Sequence, residues 1–202
     1  MLVVSIIELI IMLCSAILII PQIFLLKKQI KNGHEEKRRE NTVRIMENWC
    51  LSVKKDTCIA EQVARKLNRD QCGKLYKHKP FTVSTEIKQE VCRFCPLDLC
   101  ECEKCSLNKE QGDYVLDGKI LTELRWHVIT YLNTLETVMV AWHIGAVDRE
   151  TIEEQFKFLT DPDKGMTLSE FRHSAGGFPM IEEFIDEIKS EKPKNPKKDI
   201  MK

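Results

Sequence analysis

Cys92, Cys95, Cys100, Cys102 and Cys105 crowd into one short stretch, VCRFCPLDLCECEKC. The outer pairs, Cys92-x2-Cys95 and Cys102-x2-Cys105, have the spacing of zinc knuckles. Two neighbouring thiolates in such a pair converge on one ion at a Zn–S distance of ~2.3 Å, and four complete a tetrahedral shell. A shell of four sulfurs is closed to substrate, so the site this spacing predicts is structural zinc. Only six residues separate the pairs, and Pro96 lies in the turn that must close them. Cys100 offers a competing ligand set. A redox or iron–sulfur role, or no metal at all, are the alternatives for the same sulfurs. His78, six positions after Cys72, is a candidate for a second or mixed site and otherwise a surface histidine.

Other chemistry-bearing residues are sparser. Glu123 and His127 stand at i, i+4, a spacing that suits a metal or a proton relay, and Glu136 and His143 lie two turns apart on the same expected helix. Asp161-Pro-Asp163-Lys-Gly165 opens like a calcium loop, but Met166 and Arg172 stand where its glycine and bidentate glutamate belong, which leaves a turn. No phosphate-cradling glycine loop, nucleophile elbow or triad order is readable.

Whether the cysteines meet a metal or each other depends on their compartment, and the first residues decide that. Leu2 to Leu26 reads LVVSIIELIIMLCSAILIIPQIFLL. A helix of this length exceeds the ~30 Å hydrocarbon core of a bilayer. No basic residue precedes the run, and it is longer than a cleavable signal core. Glu8 inside it costs ~2.5–3.5 kcal/mol if ionised at the helix centre, which places it near the headgroups, protonated, or against a partner helix. Pro21 is expected to kink the far end. Lys27, Lys28, Lys31, Lys37, Arg38 and Arg39 all follow the run, so the positive-inside rule predicts a single-pass protein of the inner membrane with its N-terminus outside and the remainder cytoplasmic. There thiols stay reduced, and clustered cysteines are expected to hold an ion.

With 31 Lys+Arg against 31 Asp+Glu the formal charge is zero, which argues against nucleic acid as a partner. The balance is made of blocks. Residues 27–44 carry seven bases against three acids, 145–190 eleven acids against five bases, and 191–202 five lysines against two acids. These blocks divide the chain into a transmembrane helix (2–26), a basic juxtamembrane segment (27–44), a helical domain (45–190, with the Cys-rich loop at 92–112) and a disordered basic tail (191–202).

From Glu35 to about Asn68, Val43, Met46, Trp49, Cys50 and Val53, then Ile59, Val63 and Leu67, recur at helical spacing with a weak point near Asp56–Thr57. Gly73 and Pro80 mark the end of that run. A short helix over 84–91 shows Ile87 and Val91. The strongest periodicity, from Gly118 to Ile144, runs through Ile120, Leu124, Val128, Tyr131, Leu135, Val138 and Trp142, with Asp117 as N-cap and Gly145 as the left-handed stop. Asp148 caps the next helix, with Val147 and Ile152 as a hydrophobic staple and Phe156 and Leu159 on its buried side. Thr167-x-x-Glu170 reads as a capping box, and Ile181, Phe184, Ile185 and Ile188 form the last stripe. No run alternates with period two. The expected fold is all-α, a bundle of four to five helices behind one membrane helix.

The segment YLNTLETVMVAWHIGAVDRETIEEQF, with the apolar N-terminus and RRENTVRIMENW, resembles an uncharacterised family of bacterial and phage-encoded proteins in which a membrane anchor precedes a helical domain with an L-N-x-x-E helix. Leu132, Asn133, Glu136, Gly145 and Asp148 carry the resemblance, and the cysteine loop departs from it. The resemblance implies fold and placement and no activity. It singles out Asn133 and Glu136, one turn apart, either as a polar pocket or as contacts into a neighbouring helix or its N-terminus. The functional expectation is a membrane-tethered cytoplasmic interaction domain, with a protein partner or a second copy. The alternatives are a membrane-disrupting effector or sensor that oligomerises through Glu8, and a metalloenzyme, which needs a metal position open to water.

Overall fold

The computed structural model describes residues 2–91, 93, 114–116, 118–161 and 168–190, with side chains from residue 21 onward. The described residues are mostly helical, with one small two-stranded hairpin. The elements are α1 (Leu2–Ser52), α2 (Lys55–Lys66), α3 (Arg69–Tyr76), β1 (Phe81–Val83), α4 (Thr85–Val91), β2 (Tyr114–Leu116), α5 (Gly118–His143), α6 (Arg149–Phe156) with a 3-10 turn Lys157–Thr160, α7 (Ser169–Ala175) and α8 (Pro179–Ser190).

α5 is the axle. Every residue of its expected stripe is buried, and so are Leu121, Leu132 and Met139 on adjoining faces, because α1, α2 and α8 all pack around it. Burying each such side chain stabilises the fold by ~1.5–3 kcal/mol relative to exposure. α5 stops where the sequence predicts. Gly145 takes a left-handed φ of 66°, the Ala146 N–H donates to Ala141 O (3.0 Å) and the Gly145 N–H to Trp142 O (3.1 Å), the paired bonds of a Schellman end. Asp148 then caps α6 by accepting from the Thr151 N–H at 3.0 Å, and Val147 and Ile152 are both buried.

α1 is one helix of 51 residues that continues through Pro21, about 77 Å long at ~1.5 Å per residue. Its last turns run antiparallel to α5 and join the core. Thr42 is buried, accepts from the Asp148 N–H at 2.8 Å and donates to Arg38 O; Asn41 Nδ2 donates to Ala146 O at 3.0 Å. Trp49 meets Tyr131 and Phe156 edge-on, with ring centroids 5.6 and 5.1 Å away. The buried side of α1 is therefore Thr42, Ile45, Met46 and Trp49, whereas Val43 and Cys50, expected in the stripe, are exposed.

Three further expectations give way. The break after α1 falls at Val53–Lys54, and Thr57, at the expected weak point, lies buried inside α2. Gly73 ends nothing: it sits within α3, where an added Cβ would stand 3.8 Å from Ser174 Oγ of α7, against which α3 packs. α3 opens with a capping box, Asn68 and Gln71, which the apolar pattern did not reveal. The body is thus cut into more and shorter helices than four or five.

The hairpin was also unforeseen. β1 and β2 pair antiparallel, Phe81 opposite Leu116 and Val83 opposite Tyr114, with Phe81, Val83 and Leu116 in the core. Gln71 Nε2 donates to Thr82 O and so covers part of β1's outer edge.

Candidate functional site

The cysteine ligand set Cys92, Cys95, Cys102 and Cys105, together with Cys100, lies outside the described residues, as do Asp117, the calcium-like turn from Pro162 to Gly165 and the side chain of Glu8. What the structure describes is the frame on which the cysteine segment is mounted. α4 ends at the buried Val91 and β2 begins at Tyr114; the Lys88 ammonium sits 4.4 Å from the Tyr114 ring centroid, so both ends of the segment meet at one base. That base is tied to α2, where Lys66 Nζ reaches Glu86 and Glu90 of α4, each at 2.7 Å. Among the described residues no group of three or more His, Cys, Asp or Glu side chains gathers to hold a metal ion.

Glu136 has a definite job. Pro179 opens α8 without an N–H to offer, and Phe178 before it, at a φ of 68°, has no side-chain acceptor. The Glu136 carboxylate reaches across from α5 and accepts from the Met180 N–H (3.0 Å) and the Ile181 N–H (3.1 Å). A remote carboxylate thus replaces the missing cap and meets the positive end of the α8 dipole. Arg172 of α7, buried, pairs with Glu182 of α8 at 2.9 Å; burial draws it below the usual guanidinium range while Glu182 and Glu136 pull the other way. Farther along, His143 Nδ1 stands 2.7 Å from Glu183, and Arg149 pairs with Glu187 and lies over the Trp142 ring at 4.2 Å. The contacts 136 to 180, 142 to 184 and 143 to 183 make α8 parallel to α5. The expected Glu136–His143 pair is therefore divided between two places on α8.

Asn133 does not accompany Glu136. It is exposed and lines a groove of about 330 Å³ between α1 and α5, with Asn48 and Trp49 opposite and Thr137 beside it. His127 turns to α2 instead of Glu123: its Nδ1 is 3.3 Å from Thr57 Oγ1, and burial lowers its pKa against the opposing pull of Asp56 and Glu123. His78 closes α3. It adopts a left-handed φ of 56°, the Lys79 N–H donates to Lys74 O at 2.8 Å, and its Nε2 lies 2.8 Å from Thr122 Oγ1. Among the described residues none of these histidines lies in a metal-ligating group.

Sequence reasoning missed the polar centre of the core. Glu61, 4 % exposed, faces Arg65 through Nε and Nη2 at 2.8 and 2.9 Å. Burial raises the Glu61 pKa, and Arg65 opposes the rise. Burial also raises the Tyr131 phenol above its ordinary range, with Glu61 adding to it. Cys58 is raised by burial and then by Glu61, and Cys72, whose Sγ is 3.7 Å from Leu67 O, is pushed up to about 12. Such thiols stay protonated near neutrality and are poor nucleophiles. A Glu–Arg pair at i, i+4 was visible in the sequence, but nothing local marks it as buried.

No family model matches the chain, and comparison with curated proteins and with solved structures returns no match. Among the described residues no helix is long and apolar enough to cross a membrane.

Proposed function

We propose that the protein is a membrane-tethered interaction protein: residues 2–26 span the inner membrane once, and the helical body works at the cytoplasmic face. The observation that carries this reading is α1. One uninterrupted helix contains the apolar run, the basic stretch from Lys27 to Arg39, and the Thr42 and Trp49 side chains that enter the core of the body. A tether built this way fixes the body's orientation, which suits presentation of a surface to a partner. The surface on offer is the cysteine segment on its hairpin base, with zinc in Cys92, Cys95, Cys102 and Cys105 as the group that holds that segment. When bound, zinc supplies a structural cross-link and no reacting position.

The test is topological. The full chain should resist alkaline carbonate extraction from membranes, and a membrane-impermeant thiol reagent should fail to label Cys92–Cys105 in intact cells. Labelling from outside overturns the cytoplasmic placement and turns the cysteines into disulfide partners. A second reading, a membrane-disrupting effector, draws on the same rigid link, since any change in the body's packing is passed directly to the helix that carries Glu8. On that reading Glu8→Leu abolishes the depolarisation caused by overexpression, and unchanged depolarisation rules it out.

A further inference from the structure

A cleft of about 500 Å³ opens where α1 passes the turn between α5 and α6, lined by Glu35, Arg38 and Arg39 on one side and His143, Ile144 and Arg149 on the other. We propose that this cleft, with Ile144 at its rim, is a second membrane contact that takes the phosphate of an anionic lipid headgroup. The inference rests on the tether reading.

Four observations carry it. The first is charge. His143 is occupied by Glu183, Arg149 by Glu187, and the Asp148 carboxylate by the Thr151 N–H, whereas among the described residues neither Arg38 nor Arg39 makes an ion pair with an acid. Two arginines with no ion pair among the described residues, lining one cleft with Arg149, supply fork-shaped donors suited to a phosphate, while the carboxylates of Glu35 and Asp148 share the same cleft. The second is position. α1 runs antiparallel to α5, so the turn at 144–149 is the end of the body nearest the apolar run. Ile30, 54 % exposed, carries that apolar surface past Lys27 and Lys28, whose long stems let their charges reach back to headgroups. From Ile30 to Arg38 is about 12 Å along the helix, of which the headgroup layer takes roughly 5–8 Å.

The third is direction. Side chains of a helix lean toward its N-terminus, and the N-terminus of α1 is the membrane end, so Arg38 and Arg39 lean toward the bilayer. The fourth is Ile144. It is 68 % exposed in a turn where Val147 is buried, and an aliphatic side chain in a cleft lined by arginines suits the boundary between headgroup and acyl chain.

The experiment uses the full chain reconstituted into vesicles of phosphatidylcholine alone or with phosphatidylglycerol, carrying the photoreactive substitution Ile144→p-benzoylphenylalanine. Lipid adducts are read by mass spectrometry. Adduct yield should be roughly tenfold higher with phosphatidylglycerol and should collapse in Arg38→Gln/Arg39→Gln, two exposed changes that leave the core intact. Inorganic phosphate at constant ionic strength should not compete. A chain that fails to float with either vesicle defeats the tether reading itself. A chain that floats with both, but whose adducts ignore phosphatidylglycerol or survive the double substitution, overturns this inference alone. Loss of adducts to inorganic phosphate would give the cleft to a free anion and overturn the headgroup assignment.

Discussion

Glu136 and Asn133, one turn apart on α5, look equivalent as letters and differ completely as side chains. Glu136 holds two α8 amides that have no other acceptor, so Glu136→Ala should destabilise the fold by about 1–2 kcal/mol, with faster hydrogen exchange at Met180 and Ile181. Asn133→Ala, at an exposed groove wall, should shift the urea midpoint by no more than about 0.5 kcal/mol equivalent. Equal losses at both positions would contradict the assignment. Glu61 makes a prediction about pH. Its folded pKa is raised by burial, so between the ordinary carboxylate range and that raised value the folded state holds more protons than the unfolded one. Its contribution is therefore fully favourable at acid pH and is lost as pH rises through the folded pKa. The difference in urea midpoint between wild type and Glu61→Gln should move steadily toward the variant over that window; a pH-independent difference would refute it. The sequence offered Glu136 a contact into a neighbouring helix or its N-terminus without identifying that helix, and it gave no sign of the Glu61 role. Glu136 meets α8 across 44 residues of chain, and the burial of Glu61 is fixed by elements far from it in sequence.

The elements were more readable where period and punctuation agreed. α5 has a full stripe and a left-handed glycine stop, so its face and its end emerged from the sequence; α6 has its Asp148 cap, so its start did too, although Leu159, expected on its buried side, lies in the 3-10 turn that follows. β1 and β2 have three residues each, too few for an alternating pattern to stand out, and their pairing spans the cysteine segment. α1 shows how a tertiary contact overrides an apolar count: Thr42, a polar residue, is buried because it holds the start of α6, and the helix is rotated so that Val43 faces outward. Two predictions belong to this scale. Trp49→Ala removes two edge-on ring contacts and should cost about 3 kcal/mol, the low end for such truncations because the ring is only half-buried; protease sensitivity between α1 and α2 should rise with it. The hairpin base predicts that the cysteine segment loads metal as a closed unit: freshly prepared reduced protein should contain about one zinc per chain, lost when Cys92, Cys95, Cys102 and Cys105 become serine. Metal-free reduced protein would dispose of the zinc assignment.

The whole molecule is a compact helical body riding on a rod that it does not fully cover. The core is centred on α5, with α2, α8 and the last turns of α1 packed around it and α3, α4, α6, α7 and the two strands adding their buried side chains. Its charge blocks also acquire places: the bases of residues 27–39 line the exposed part of the rod, and acids of α8 face the arginines and histidine that fasten it to α5, α6 and α7. The unbroken path of α1 from Leu2 to Ser52 has a mechanical corollary. A rod of this kind has a phase. One residue added between Ile30 and His34 would turn the body through ~100° about the axis and raise it ~1.5 Å, whereas seven would restore its heading to within ~20° at a height of ~10 Å. If α1 is the membrane tether proposed above, any partner seated in the lipid beside the rod would meet the body on the wrong bearing after one insertion and on nearly the right one after seven, so cross-linking to such a partner should oscillate with the helical repeat instead of declining with length.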